Sequence, residues 1–248
     1  MRETLYGRQA IREVLRANRR DVYRLFVTEG TVRAPIVDEI VALAEERRVS
    51  IQSVSRYEME RMFGDENHQG IAVEASEYPY VDVADMLDLA ASRDELPLLL
   101  MLDLIQDVHN LGSLIRTADA VGAHGVVLQG RRAAGVTSAV VNTSSGAVEH
   151  LMVAQVTNLA RTIARLKDED MWIVGLEEVY GAKPYTEADL TVSLGLVVGS
   201  ESNGIRRLVR DRCDWMISIP MRGQIESLNA AVAGSIALYE VLRQRTVY

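Results

Sequence analysis

The chain of 248 residues contains a single cysteine, Cys213, so no disulfide can form within it. This composition fits a reducing cytosol, and it excludes a zinc site built on several cysteines. The four histidines are scattered without the spacing of metal ligands, so we expect no bound metal. The sequence has no run of about eighteen apolar residues, and its first residues lack the apolar stretch of a secretory signal. These absences predict a cytoplasmic protein without a membrane partner.

Positive charge is scarce overall: the net charge of −8 and the isoelectric point near 5.1 argue against a nucleic-acid-binding protein. The distribution is uneven, because residues 1–33 hold eight arginines and only four acidic residues. Three of these arginines repeat every four residues, which places them on one helical face: Arg8, Arg12 and Arg16. Two interpretations stay open at this point, a nucleic-acid contact or a solvated face with Glu13 and Asp21 as partners.

Helical and strand-like patterns alternate over the first 75 residues. The apolar spacing predicts helices over 8–17, 36–48 and 56–63, and strands over 24–28, 50–54 and 70–75. An α-β-α-β-α-β order of this length is enough for a small independent core, so we predict a first domain over residues 1–76. Residues 77–96 carry Pro79, several acids and a modest helix over 81–91, and are predicted to be a linker.

Apolar runs that alternate with helical stretches fill residues 97–248, the predicted second domain. The strand-like runs cover 98–103, 125–128, 151–153, 171–176, 194–199 and 215–219. Helical patterns lie between most of them, notably over 111–121 and 157–168, and a further one covers 225–244. Continuous apolar strands separated by helices predict an α/β fold with a parallel sheet covered on both faces.

The segment Asn110–Ala118 follows the first of these strands and opens a helix. Asn110 is a good N-cap residue, and Arg116 lies one turn into the helix, away from its apolar stripe. Ligands of open α/β sheets bind at the carboxyl ends of strands, so Arg116 is a candidate functional residue. The alternative is a simple surface pair with Asp119, three residues further on.

A second segment, Leu194–Gly204, joins a buried strand to a loop with glycines at 199 and 204. It contains neither the dinucleotide-binding nor the P-loop glycine pattern, which argues against a dinucleotide-dependent oxidoreductase. Glu201 would place a carboxylate where a phosphate should bind, so a cationic or neutral ligand such as S-adenosylmethionine fits better. The alternative is a tight turn in which Glu201 caps the following helix.

A third segment runs from the strand end Ile219-Pro220-Met221 to Ser227-Leu228-Asn229 and a helix rich in small residues. Ser227 can cap this helix. Its small residues permit very close packing, either inside the subunit or, less commonly, at a subunit interface.

Taken in order, the motifs N-L-G-S-L-I-R-T-A, V-V-G-S-E-S-N-G and I-S-I-P-M…S-L-N resemble the SpoU (TrmH) family of RNA ribose 2′-O-methyltransferases. The segments Tyr6–Ile11 and Asn67–Ala72 resemble that family's substrate-binding domain. The arrangement is most similar to the bacterial 23S rRNA guanosine 2′-O-methyltransferase branch, with a tRNA enzyme or a non-catalytic RNA-binding protein as alternatives. Two departures are Val108, where many relatives have proline, and Ser202, where many have glycine.

The resemblance implies a first domain with a ribosomal-protein-like fold and a second domain with a deep trefoil knot. It also implies a homodimer with the site near the subunit interface. S-adenosylmethionine would be held by Gly199, Ile219, Met221 and Leu228. The motif residues at the active site would be Asn110, Arg116, Glu201, Ser227 and Asn229. Ser144–Ala147 resembles a family segment near the site.

A guanidinium scarcely deprotonates in proteins, so Arg116 is a poor general base. We expect it to hold the phosphate of the target nucleotide and to stabilise the developing alkoxide, while water or the phosphate takes the proton. The expected contacts with the RNA backbone are Arg8, Arg12, Arg16, Arg19, Arg20, Arg131 and Arg132.

Overall fold

The computed structural model describes residues 2–31, 34–63 and 67–246, and it divides the chain into two compact units. The first unit takes Met1–Pro79 together with Val136–His150, and the second takes Tyr80–Gly135 together with Leu151–Tyr248. This division differs from the expected boundaries in two places. Residues 80–96 pack into the second unit, and a segment from the middle of the chain packs into the first.

The first unit is built around a four-stranded sheet in the order β1-β4-β2-β3. Its elements are β1 (Arg2–Tyr6), α1 (Arg8–Ala17), β2 (Val22–Thr28), α2 (Pro35–Glu46), β3 (Ser50–Val54), α3 (Arg56–Phe63) and β4 (Ile71–Ser76). Only β2 and β3 are parallel neighbours; the other pairs are antiparallel. The predicted helix over 8–17 is present as α1, and its apolar stripe is buried: Ala10, Ile11, Val14 and Leu15.

The inserted segment, residues 136–150, is part of the body of the first unit. It forms α6 (Ser138–Thr143) and a 3₁₀ turn (Ala147–Glu149). Arg20 Nε donates to Glu149 Oε2 at 3.0 Å, and neither side chain of this ion pair is exposed to solvent. Burial raises the pKa of Glu149, and the positive charge of Arg20 opposes that shift. This pair ties the segment to the chain just after α1.

The second unit contains a seven-stranded, wholly parallel sheet in the order β7-β6-β5-β10-β8-β11-β9. Its strands are β5 (Leu98–Asp103), β6 (Gly125–Gln129), β7 (Met152–Val156), β8 (Trp172–Leu176), β9 (Lys183–Pro184), β10 (Leu194–Gly199) and β11 (Trp215–Ser218). Its helices are α4 (Val83–Ser92), α5 (Val108–Ala120), α7 (Leu159–Asp168), α8 (Arg207–Arg210) and α9 (Ala230–Thr246). The predicted parallel α/β fold is confirmed.

Helix α4 explains why residues 80–96 are part of the second unit and do not form the predicted linker between domains. Asp82 and Asp85 form a capping box at its start, and Met86 is fully buried in a core cluster with Leu99. A Cβ at Gly125 would overlap the side chain of Met86, so glycine at the start of β6 allows the helix to lie close to the sheet. Within the described ranges, none of the helices combines the length and the apolar character needed to traverse a membrane.

Candidate active site

The parallel sheet brings the carboxyl ends of its strands to one edge. The strand order reverses between β5 and β10, because the chain continues to β6 and β7 on one side and returns to β8 and β10 on the other. The crevice at such a reversal is the usual ligand-binding position in open α/β sheets. Asn110 follows β5 and Glu201 follows β10, so the two residues lie at this crevice.

Helix α5 begins three residues earlier than the Asn110 cap implied. Asp107 is its N-cap, and its carboxylate accepts a hydrogen bond from the backbone N–H of Asn110 at 2.8 Å. The expectation that Asn110 caps this helix is therefore wrong. Its side chain is used elsewhere: Nδ2 donates to Glu201 Oε1, and Oδ1 accepts from Asn229 Nδ2 at 2.9 Å.

Asn229 stands immediately before α9 and takes the capping role expected of Ser227. Its Oδ1 accepts hydrogen bonds from the backbone of Ala231 at 2.9 Å and of Val232 at 3.2 Å. The start of α9 therefore fixes the orientation of the Asn229 amide, which in turn directs its Nδ2 to Asn110. The result is one hydrogen-bonded chain from α9 through Asn229 and Asn110 to Glu201, hereafter the amide chain.

Close backbone packing shapes the loop that carries Glu201. A Cβ at Gly199 would overlap the backbone of Gly204, so only glycine allows the loop to fold back onto the end of β10. Gly204 itself has φ of +60°, in the left-handed region that favours glycine. Helix α8 begins only at Arg207, so Glu201 does not cap it.

Two carboxylates anchor the far end of this loop. Asp103, the last residue of β5, accepts from the backbone N–H of Arg206 at 2.8 Å and pairs with its guanidinium at 2.7 Å. Glu177 accepts from the backbone N–H of Ile205 at 3.2 Å and from Arg210 at 3.3 Å. Sequence reasoning missed both anchors. A signal was present in Asp103, because a carboxylate that ends an apolar strand must find a partner.

A cavity of about 280 Å³ opens beside the amide chain, at the carboxyl ends of β8, β10 and β11. All the residues expected to hold S-adenosylmethionine line it: Gly199, Ile219, Met221 and Leu228. Ser227 and Glu201 also line it, together with the carboxylates of Glu177, Glu178 and Glu226. None of the described lining residues is basic. The cavity therefore suits a cationic or neutral ligand better than one that carries phosphates.

Arg116 is exposed on α5 and is not among the residues that line the cavity. It lies six residues after Asn110, which is about 9 Å along the helix axis and about 120° around it. The two motif residues therefore present their side chains on different faces of α5.

The arginines expected to contact RNA have different environments. On α1, Arg12 pairs with Glu13 at 2.7 Å, Arg16 pairs with Glu39, and Arg8 Nε donates to the backbone of Gln69 at 3.1 Å. The solvated-face interpretation of this stripe was thus partly right, with Glu39 rather than Asp21 as the second acid.

The two arginine pairs also differ from one another. Arg19 donates to the hydroxyl of Tyr78 at 3.1 Å, and Arg20 is only 2% exposed in its ion pair with Glu149. Burial removes Arg20 from the expected RNA contacts, which is a correction. Arg131 and Arg132 are both exposed, in the loop that follows β6. This loop stands at the same edge of the sheet as the amide chain, since Gln106 Nε2 donates to the carbonyl of Arg132 at 3.0 Å.

Comparison with known proteins decides the family. Residues 97–239 match the SpoU rRNA Methylase family, and residues 4–81 match the substrate-binding domain described as RNA 2′-O ribose methyltransferase substrate binding. The chain belongs to the SpoU rRNA methylase family. It is accordingly an RNA 2′-O-methyltransferase that uses S-adenosylmethionine.

Relatives and solved structures agree with this membership in the SpoU family. YacO of Bacillus subtilis, whose name places it among TrmH-family tRNA/rRNA methyltransferases, is 41% identical over 96% of this chain and 94% of its own. The SpoU methyltransferase AviRb from Streptomyces viridochromogenes, solved with AdoMet, covers 98% of this chain and 90% of its own with a TM-score of 0.81 and 26% identity. A TrmH/SpoU tRNA-modifying enzyme from A. aeolicus covers 61% of this chain and 76% of its own, with a TM-score of 0.56 and 29% identity.

Proposed function

We propose that this SpoU-family enzyme methylates the ribose 2′-hydroxyl of a guanosine in 23S rRNA, in the cytoplasm and as a homodimer. The observation that carries the site assignment is the amide chain, which orders Asn229, Asn110 and Glu201 at the rim of the acidic cavity. The choice of rRNA is supported by the first unit, because the tRNA-modifying relative from A. aeolicus matches only 61% of this chain.

The acidic cavity is the proposed site of the methyl donor. S-adenosylmethionine, when bound, supplies a methyl group on a positively charged sulfur. The carboxylates of Glu201 and Glu226 complement that charge, while the apolar side chains of Leu176 and Val198 suit an adenine ring. The absence of a Cβ at Gly199 leaves its backbone free to approach the ligand. The residues present therefore fit this donor, and they disfavour ATP or NAD with their phosphates.

The reacting ribose would lie at the mouth of this cavity. Asn110, fixed by Asn229 and Glu201, positions the nucleotide by its amide, and Ser227 in the cavity lining is available to hydrogen-bond near the donor. Arg116 binds the phosphate of the target nucleotide and stabilises the negative charge that develops on the 2′-oxygen. The proton of the hydroxyl passes to water or to that phosphate, because a guanidinium does not accept it.

A homodimer reconciles the position of Arg116 with this role. Its side chain lies off the face of α5 that carries Asn110, so it would serve the site of a second copy. Helix α9 also exposes apolar side chains that an interface would cover, since Val232 is 48% and Tyr239 53% exposed. A single copy would then hold the donor and the amide chain, and its partner would supply the arginine.

We further propose the trefoil knot and the ribosomal-protein-like first domain that the resemblance implies. The knot is supported by the path of the chain after β11. Helix α9 follows this strand near one side of the sheet, yet it packs against α5 and β10 in the middle. A Cβ at Gly234 would lie 2.5 Å from the side chain of Leu114 and 3.3 Å from that of Val198.

Two measurements test the proposed function. Titration with S-adenosylmethionine, NAD and ATP should give binding for the first alone; binding of NAD or ATP in its place would overturn the assignment of the cavity. Ribose methylation is then mapped in total RNA from cells with and without this protein. In cells without the protein, we expect one 2′-O-methylguanosine of 23S rRNA to be lost. Loss of a 2′-O-methyl group from a tRNA instead would show that the substrate is tRNA and not 23S rRNA.

A further inference from the structure

A second pocket, of about 260 Å³, opens at the carboxyl ends of β6 and β7. It is separate from the donor cavity, because the two share no lining residue and β5 runs between them in the sheet. We call it the β6–β7 pocket.

Gln129, the last residue of β6, is the feature that marks this pocket as a binding site. It lines the pocket and is only 6% exposed, and its Oε1 accepts no hydrogen bond from any part of the chain that the structure describes. Buried polar atoms without partners are rare, because desolvation is then uncompensated. The oxygen itself is closed to solvent, so the amide must turn before it can accept a hydrogen bond from a ligand.

The rim of the pocket is cationic and partly apolar. Arg207 is 85% exposed in its side chain, and its ion pair with Asp211 is long, at 3.6 Å. Arg131 and Arg132 follow Gln129 directly after Gly130 and are exposed as well. Leu208, also in the lining, is 76% exposed, which is unusual for a leucine. An amide acceptor, an apolar side chain and arginines together match the base and the phosphate of one nucleotide.

We propose that the β6–β7 pocket binds an unpaired nucleobase of the substrate RNA, close to the nucleotide that is methylated. This inference rests on the proposed function. With its amide turned toward the pocket, Gln129 would accept an N–H from the edge of the base, Leu208 would cover its face, and Arg207 would hold its phosphate. Strands β6 and β10 are two positions apart in the sheet, about 10 Å, which corresponds to about three stacked base steps of ~3.4 Å. The pocket would thus read sequence next to the target, as proteins do in single-stranded RNA.

The test compares two glutamines that differ in their surroundings. Gln129→Met keeps the length of the side chain and removes the amide. Gln155→Met makes the same change at an exposed glutamine of the neighbouring strand β7, outside the pocket. Affinity for an unmodified 23S rRNA transcript is measured by filter binding, alongside affinity for S-adenosylmethionine and the melting temperature. We expect Gln129→Met to bind the transcript about tenfold more weakly with the other two values unchanged. Gln155→Met should match the unchanged protein in all three.

A second experiment distinguishes binding of a base within RNA from binding of a free nucleotide. AMP, GMP, CMP and UMP are titrated singly and observed by NMR. If a mononucleotide binds the wild type but not Gln129→Met, while transcript affinity is equal in both, the pocket serves free nucleotides and the RNA assignment is overturned. Equal transcript affinity without mononucleotide binding also overturns it. If Gln129→Met does not fold, Leu208→Ala and Arg207→Ala, at two exposed residues of the pocket, are compared with the wild type in the same measurements.

The result also separates this inference from the proposed function. If the wild type binds S-adenosylmethionine and methylates the transcript but the pocket variants bind RNA normally, only the pocket assignment falls. If the wild type neither binds nor methylates the transcript, the choice of 23S rRNA falls, and the pocket assignment for that RNA falls with it.

Discussion

Asn229 donates a hydrogen bond to Asn110 at 2.9 Å, although the two residues are 119 positions apart in the chain. The bond joins the start of α9 to the first turn of α5. Since Asn110 also donates to Glu201, residues from all three motif segments meet in one hydrogen-bonded chain. The three motifs are separate in the sequence, and they come together in the fold where the strand order of the sheet reverses.

Asn110→Asp tests the amide chain with little change of shape. An aspartate can still accept from Asn229, but it cannot donate to Glu201, and two carboxylates then face each other. We expect kcat to fall by about 100-fold, the cost of a small misplacement in an active site, with little change in melting temperature. Asn18→Asp, the same change at an exposed residue of the first unit, is the control. Normal turnover in the Asn110 variant would show that the amide chain does not position the nucleotide.

Arg116→Lys tests whether the planar guanidinium matters. Lysine keeps the charge but loses the two-pronged contact with phosphate, so kcat should fall at least about tenfold with an unaltered pH profile. A new rise of rate at high pH would indicate that residue 116 takes the proton. Near-full activity with an unchanged profile would contradict the role given to the guanidinium fork.

Gly199→Ala tests the fold of the donor cavity. The added Cβ overlaps the backbone of Gly204, so the loop that carries Glu201 must move. We expect a loss of about 1–3 kcal/mol in the free energy of unfolding and a large loss of affinity for S-adenosylmethionine. Gly223→Ala is the matched control, because a Cβ there meets nothing within 4 Å. Equal donor binding by the two variants would place the donor elsewhere.

Arg131→Ala combined with Arg132→Ala tests the exposed pair near the site. Each lost phosphate contact lowers the salt dependence of RNA binding by about 0.7, so the slope of log K against log salt should fall by about 1.4. Arg93→Ala with Arg165→Ala removes the same charge from exposed positions after α4 and on α7. The prediction fails if both double variants show the slope of the wild type.

Tyr78 gives the first unit a dependence on alkaline pH. Burial raises its pKa from 10.0 to about 12, and its hydroxyl donates to the carbonyl of Val148 at 3.2 Å. Because the folded chain holds this proton more tightly than the unfolded one, the stabilisation is complete below pH 10 and is lost as the pH rises through about 12. The total effect is about 2–3 kcal/mol.

Urea unfolding at pH 9 and at the highest pH that retains the fold measures this effect. Tyr78→Phe should lose less stability than the wild type over that interval, while Tyr57→Phe, at a tyrosine that is 72% exposed, should behave like the wild type. Parallel losses in the wild type and Tyr78→Phe would assign the alkaline sensitivity to another group.

The sequence predicted the elements that bury continuous apolar runs, because such strands and stripes have few alternatives. Residues 98–103 and 194–199 were assigned to strands with the bounds that β5 and β10 have. The caps were harder to assign. Asp107 and Asn110 are both good cap residues three positions apart, and local spacing does not choose between them. Strand β1 was missed, because pairing with β4, about seventy residues away, decides its conformation.

The candidate site, like the fold, was predicted only in part. The family motifs identified Asn110, Glu201 and Asn229, and the structure joins them, but the hydrogen bonds between them depend on distant segments. Arg20 illustrates the opposite case. Its place in an arginine-rich stretch suggested RNA, whereas its partner Glu149 lies 129 residues further along the chain. The charges of neighbouring residues in the sequence do not indicate a partner that lies so far along the chain.

The inserted segment 136–150 also limits how this protein can be dissected. A fragment that starts at residue 80 would retain Val140, Val148 and Glu149, which are buried in the intact first unit, but would lack Arg20 and α1. Such a fragment would expose apolar surface and an unpaired carboxylate, and it would be prone to aggregation. A soluble fragment of the second unit therefore requires a second cut, with residues 136–150 replaced by a short linker between Gly135 and Leu151.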